Sequence, residues 1–306
     1  MPETEKPQET GQGLANPVSP SGLRRRWLLN AALLVLIGAL AWLAIYRAGQ
    51  GKDVTGPPLT TLTTDAILQL RIERPDHPAV TLEKTGKEWT LTTPVRARAN
   101  HFNVESLLRI ITAPGETRFP AVATDLAKFG LDRPQTRVWY GNEEIAFGSL
   151  HPLNNQIYVQ NKNKVVLIPS HYLSTAIYPY TNFIDSRLFE ENRKLTTIML
   201  PDFTLAQENG VWQKQPPDAK LMSDRINDFA AEWQNASALG VEKYSGKEIL
   251  DRIEIASLRD GKTEKLTLGI LAYKPDFVLH RPDEDLEYHF TEEAGKRLLN
   301  LLPGDN

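Results

Sequence analysis

The sequence has no cysteine in 306 residues. Disulfides, thiolate zinc sites, iron–sulfur clusters and cysteine nucleophiles are therefore excluded together, whatever the redox compartment. It also lacks a strong excess of either charge, because 35 basic residues against 38 acidic ones leave a formal net charge of −3. The charges are unevenly placed. Before Asp53 six basic residues stand against three acidic ones, a balance of +3, which leaves −6 for the rest. A body of that sign without a basic run lacks the electrostatic footprint of a phosphate-backbone binder, so nucleic acid is not an expected partner. At 41% hydrophobic and 24% charged residues, the composition also excludes a disordered, collagenous or polytopic membrane protein.

Motifs for catalysis are scarce as well. Gly261-Lys262-Thr263 ends like a phosphate-binding loop, but Ala256 stands where its first glycine belongs and a strand pattern follows, so Asp260-Gly261 reads as a hairpin turn. The six histidines show no metal-ligand spacing on a helix, although His280 and His289 could meet across a hairpin. Ser149 and His151 are close in sequence without the strand-to-helix elbow that exposes a nucleophile. Asp283, Glu284, Asp285 and Glu287 lack the twelve-residue calcium-loop pattern and read as a solvated hairpin tip. No catalytic residue, cofactor or metal site is expected.

One long apolar run is present. From Trp27 to Tyr46 twenty consecutive uncharged residues lie between Arg26 and Arg47. As a helix this stretch is about 30 Å long, the thickness of a bilayer core. Trp27, Trp42 and Tyr46 stand at its ends, where amphipathic rings favour the headgroup level. Arg24, Arg25 and Arg26 outnumber Arg47 and Lys52 on the other side, so the N-terminus is expected in the cytoplasm and everything after residue 47 outside it. A cleaved signal peptide would use Ala39-Leu40-Ala41, but its apolar region spans about 7 to 15 residues and this run continues past Trp42. Residues 1–23, rich in Pro, Glu, Gln, Gly and Ser, read as a disordered cytoplasmic tail, and residues 48–64 as a tether.

The remainder carries an internal repeat. Leu68 to Ile72 alternates apolar and polar, Val80-Thr81-Leu82 follows, and after a turn at Gly86 a third strand carries Trp89 and Leu91. The same order returns with Ile198 and Leu200, then Phe203 and Leu205, an Asn209-Gly210 turn, and Trp212, which is 123 residues after Trp89. Each meander precedes an amphipathic helix, with Val104, Leu107, Leu108 and Ile111 in the first and Ile226, Phe229, Ala230 and Trp233 in the second. Val104 and Ile226 are 122 apart, Gly148 and Gly269 are 121 apart, and Ser170 and Thr291, at the start of a last helix in each copy, are again 121 apart. The expected architecture is α+β, with two tandem copies of mainly antiparallel sheet and packed helices, at residues 65–180 and 195–303, preceded by one transmembrane helix. Residues 181–194 form the linker. Trp89 and Trp212 are expected in the cores, with stacking on a sugar or peptide as the other use of such rings. Tyr178, Tyr180 and Phe183 at the join are expected to dock one copy on the other, or to line a cleft between them.

Phe129-Gly130-Leu131-Asp132-Arg133-Pro134, with Ile145-Ala146-Phe147-Gly148 after it and Arg98-Ala99-Asn100 before the helix, resembles a bacterial family known as domain of unknown function 4340. The second copy departs from this pattern, with Lys243-Tyr244-Ser245-Gly246 in the corresponding place. The resemblance implies a single-anchored envelope protein, of the kind that is auxiliary to ABC-type transporters related to gliding motility, and it carries no catalytic residues. The expectation is therefore a single-pass inner-membrane protein. Its partners would be the bilayer and a membrane protein of the ABC-transporter type, with the exported copies acting as a scaffold or accessory subunit. The alternative is a periplasmic binding module for a glycan, lipid or peptide in the cleft between the copies.

Overall fold

Leu, Ala, Val and Ile dominate residues 28–45 without proline, and they fall within a helix, α1 (Pro20–Gly49). The computed structural model describes residues 20–49, 56–115 and 117–301, with side chains described for 27–43, 56–115, 117–122 and 125–301. Among the described residues no helix is long and apolar enough to cross a membrane. The expected span reaches past the described side chains: those of Arg24, Arg25, Arg26 and Tyr46, like the tail before residue 20, lie outside them. The chain divides into two compact units, residues 1–53 and 54–306.

In the second unit the alternation of the first meander puts Leu70, Ile72, Val80, Leu82 and Leu91 on one face of a sheet, where all are buried. The strands are β1 (Gln69–Glu73), β2 (Val80–Thr85), β3 (Glu88–Thr93) and the short β4 (Ala97–Arg98). Helix α2 (His101–Leu108) follows, its first turn capped by the Asn100 side chain, which accepts from the Asn103 N–H at 3.1 Å. Then come β5 (Arg118–Pro120), β6 (Thr136–Tyr140), β7 (Glu143–Leu150), β8 (Gln156–Asn161), β9 (Lys164–Pro169) and α3 (His171–Ala176). The sheet order is β4-β3-β2-β1-β6-β7-β8-β9-β5, antiparallel throughout.

The second half forms β10 (Lys194–Met199), β11 (Thr204–Glu208), β12 (Val211–Gln215), α4 (Ser223–Gln234), β13 (Gly240–Lys243), β14 (Asp251–Arg259), β15 (Lys262–Ala272), β16 (Asp276–Arg281), β17 (Leu286–Thr291) and α5 (Glu292–Leu299). Its sheet runs β12-β11-β10-β14-β15-β16-β17-β13. Matched strand for strand, this is the order of the first sheet, except that among the described residues β4 has no counterpart. Registers match as well: Trp89 pairs with Lys84 and Trp212 with Gln207, both 123 residues apart. The helices back the sheets. Tyr140 Oη donates to Leu107 O at 2.8 Å and Trp233 Nε1 to Leu298 O at 2.8 Å, so each buried ring finds a partner for its polar atom.

The copies are not separate bodies on a string. One hydrophobic core runs through both, and it includes Phe183, Ile184, Leu188 and Phe189 of the segment expected as a linker. The tether is shorter than the composition suggests, because Leu59 and Thr60 are buried and their N–H groups donate to Ala113 O and Ile111 O at 2.9 and 3.0 Å.

The Phe129 to Pro134 element is explained by packing. Gly130 ends a 3-10 turn in the left-handed region, at φ 67°, and turns the Phe129 carbonyl and the Leu131 side chain onto Gly148 of β7. Gln135 Nε2 donates to Gly148 O at 2.6 Å and holds the same approach. A Cβ at Gly148 would collide with the Phe129 carbonyl oxygen, which is backbone and cannot swing aside. At Gly269 the atoms met are the Ile249 side chain at 3.0–3.2 Å, which can shift. Gly148→Ala is therefore expected to cost about 1–3 kcal/mol and Gly269→Ala less. Gly240→Ala, where nothing lies within 4 Å, serves as the near-neutral control. Urea midpoints of the three variants check the order.

Candidate interaction site at the junction of the two copies

The junction is built first from backbone. Residues 183–188 leave a 3-10 turn at Phe183, pass between the copies and hydrogen-bond to both. On one side Asn100 N donates to Phe183 O and Asp185 N to Arg98 O, each at 2.8 Å. On the other, Leu188 N donates to Ala236 O and Ala238 N to Ser186 O, again at 2.8 Å. A segment bridged on both sides, through Ala99–Ile184 and Arg187–Ser237, is placed like an interior strand. Of the three aromatics expected at the join, Phe183 is fully buried, and Tyr178 and Tyr180 are partly buried against the shared core.

The extended backbone then aims charged side chains at one another. Arg98, on β4 of the first copy, donates from Nε to Glu284 Oε1 at 2.7 Å and from Nη1 to Asp185 Oδ2 at 3.1 Å. Its Nη2 reaches Arg187 O at 2.6 Å and Tyr288 Oη at 3.1 Å. Tyr288 Oη in turn donates to Glu284 Oε2. Arg281, the last residue of β16 and only 1% exposed, donates from Nη1 to Leu188 O at 2.6 Å. It grips Asp283 through Nε and Nη2, both at 3.0 Å, and meets Glu190 Oε1 at 3.0 Å. Glu190 also accepts from Arg193 Nε at 2.7 Å and Arg259 Nη1 at 3.3 Å, and Glu264 bridges Arg193 and Arg259 at 3.0 Å each. Arginines 98, 187, 193, 259 and 281 thus face six carboxylates, those of residues 185, 190, 191, 264, 283 and 284.

The charges hold one another in their ionised states. Burial alone would lower the Arg98 and Arg281 guanidinium values, but Tyr288 and Glu284 beside Arg98, and Asp283, Glu284 and Glu190 beside Arg281, outweigh it and raise both. Burial would push the Glu190 carboxyl up, yet the Arg193 hydrogen bond and the Arg281 charge win and hold it at about 2. The Tyr288 phenol is pushed up by burial and by the Glu284 charge.

Above this network lies an open cleft of about 850 Å³. Its walls are the turn before β3 with Trp89, the Arg98–His101 stretch, residues 185–192 and the β14–β15 turn. It carries both signs of charge, with Lys87, Arg98, Arg187 and Arg259 against Glu88, Asp185, Glu190, Glu191 and Asp260. Trp89 is 8% exposed, buried beneath the cleft wall as expected of a core ring, whereas Trp212 is only partly buried. Val104 and Ile226 are buried on their helices, and Gly148 and Gly269 on their strands.

The acidic stretch at 283–287 departs from a simple solvated tip. Asp283 and Asp285 are exposed, but Glu284 takes Arg98 and Arg281, and Glu287, 2% exposed, accepts from Ser245 N at 2.6 Å and from Ser245 Oγ. His280, Glu287 and His289 do share one face of the β16–β17 pair, and His280 stacks on Tyr244 with 3.7 Å between centroids. Among the described residues no group of three or more His, Asp and Glu is placed to hold a metal ion.

The pattern of the family described as domain of unknown function (DUF4340) matches residues 89–269, and the chain belongs to that family. The matched span starts on β3 and ends on β15, so the family unit crosses the junction and is not a single copy. No curated protein and no solved structure matches the chain.

A folded-state value for Glu190 below its ordinary 4.5 means stabilisation that is present above about pH 4.5 and lost as the pH falls toward 2. Glu190→Gln removes that charge. Its urea midpoint is expected well below wild type at pH 6.5, with the gap narrowing at pH 3. An equal gap at both values would mean that the ionised Glu190 contributes nothing.

Proposed function

We propose that the chain is a single-pass inner-membrane protein, N-terminus in the cytoplasm, whose exported body serves as a scaffold or accessory subunit of an envelope complex. The observation that carries this reading is the junction. A segment hydrogen-bonded to both copies and arginines answered by carboxylates favour a body of fixed shape, as a surface for a protein partner requires, over two lobes that open and close on a ligand. The pairing supports it too, since the cleft's arginines are engaged by carboxylates and not aimed together at a small ion. The anchor is supported by the twenty uncharged residues between Arg26 and Arg47 within a 30-residue helix, and by exposed apolar side chains such as Leu34, Val35 and Leu40 that lipid would cover. The three arginines at 24–26 support the orientation. The finer reading, a component auxiliary to an ABC-type transporter, rests on family resemblance.

The alternative, a module that binds a glycan, lipid or peptide, draws on the cleft of about 850 Å³. Affinity purification of the full chain from a mild detergent extract separates the two. The scaffold reading expects a stoichiometric integral-membrane partner, and a reporter active only in the periplasm, fused after residue 306, to be active. A chain that purifies without such a partner and melts higher with an added oligosaccharide, lipid or peptide would contradict it.

A further inference from the structure

Among the described residues the second sheet lacks one strand of the first, on the outer side of β12. In the first copy β4 closes that side of β3: Leu91 pairs with Ala97 and Thr90 with Arg98, and Ala99 N donates to Trp89 O at 3.1 Å. Under this cover Trp89 is 8% and Leu91 0% exposed. Among the described residues no strand pairs with the outer side of β12, where Trp212 remains partly buried and Val211 is 52% exposed.

The free edge has a definite pattern. Asn209 and Gly210 both have positive φ, 52° and 85°, as a two-residue primed hairpin turn requires, so Glu208 and Val211 close the hairpin as a hydrogen-bonded pair. By alternation the N–H and C=O groups of Trp212 and Lys214 point away from β11. This is the orientation seen at Trp89, whose outward carbonyl takes Ala99. A lysine on an edge ordinarily blunts it. Here Lys214 lies back over its own sheet, with Nζ 5.3 Å from the Phe203 ring centroid and 3.1 Å from Pro216 O.

We propose that β12 is a dimerisation edge, on which two copies of this chain pair antiparallel in a register centred on Gln213. This inference stands independently of the scaffold reading. In that register Trp212 of each chain faces Lys214 of the other, and their four outward N–H groups meet four outward carbonyls. Gln213 faces Gln213, and Val211 faces Gln215. No like charges oppose each other, each Trp212 gains the neighbouring strand that Trp89 already has, and the interface is isologous and closed. A register shifted by one residue would turn the free backbone groups away from one another. The occupant is a second copy because in this one register the strand's outward N–H and C=O groups meet their own counterparts while each Lys214 faces a Trp212 and not a like charge.

The absence of native cysteine makes the test clean. Gln213 sits in the non-hydrogen-bonded position of the proposed pair, where Cα atoms are about 4.5 Å apart, within disulfide reach. In membranes containing the full chain, Gln213→Cys is expected to form disulfide-linked dimers under mild oxidation at least about tenfold faster than Val211→Cys alone. Coexpressed Val211→Cys and Gln215→Cys chains should cross-link to each other. Gln213→Cys that reacts no faster than Val211→Cys, or not at all, would overturn the proposal. So would dimers whose Val211→Cys chains link mainly to themselves, since that register is not centred on Gln213. All three positions are at the exposed edge, so the variants retain the fold, and an unchanged melting curve verifies it.

Discussion

Arg98 reaches from β4, at one edge of the first sheet, into a nest made by the linker and the second copy, and the rest of the arrangement depends on that reach. Its guanidinium meets Glu284, Asp185, Tyr288 and a backbone carbonyl at once. A cation largely removed from water is stable only with such a complete set of partners. Each partner is in turn fixed by another: Glu284 by Arg281, Arg281 by Glu190, and Glu190 by Arg193 and Arg259. Fixing Arg98 fixes the segment 183–188, which pairs with residues on both sides of it. The charges set the register of the junction, and the continuous apolar core supplies most of the favourable free energy.

The two copies share a plan and differ where they have been put to different use. Asn161 and Arg281 are each the last residue of the strand before the final hairpin, and both are buried. Asn161 donates locally, to Glu143 Oε1 and Glu144 O. Arg281 sends its donors outward to the linker carbonyl of Leu188 and to Glu190. One change of side chain at a matched position thus converts a local turn lock into part of the inter-copy network. The outer faces differ similarly. Phe119, Phe129, Leu131 and Tyr158 make a small apolar cluster on the first, where Tyr244, Ser245, His280 and Glu287 occupy the second.

Much of this was legible in the sequence because strands, turns and amphipathic helices leave periods of two and 3.6, and duplication repeats them. Trp89 with Trp212 and Val104 with Ile226 could be matched from spacing alone, and Asn209-Gly210 marked its hairpin correctly. The junction left no such trace. Arg98 and Glu284 are 186 residues apart, and an ion pair across two copies follows no period. Glu284 looked solvated because the matched first-copy turn is Lys162-Asn163-Lys164, yet sequence carries no sign that its hairpin points inward at the join. Trp212 was expected to be as covered as Trp89, and is not, because Trp89 is covered by a neighbouring strand that has no counterpart among the described residues of the second copy. Polar residues at 190–194 read as a linker for the same reason: burial of Arg193 depends on Ser257 and Glu264 arriving from elsewhere in the chain.

The central claim is that the charged junction makes two copies melt as one. Differential scanning calorimetry of the full chain and of Arg98→Met tests it most directly. The wild type is expected to show one transition for residues 54–306, with equal calorimetric and van't Hoff enthalpies. Methionine keeps the apolar stem but leaves Asp185 and Glu284 without their partner, and the variant should melt earlier and in two steps, one for each copy. A variant that keeps a single transition at the wild-type temperature would contradict the account, and so would a wild type that already melts in two.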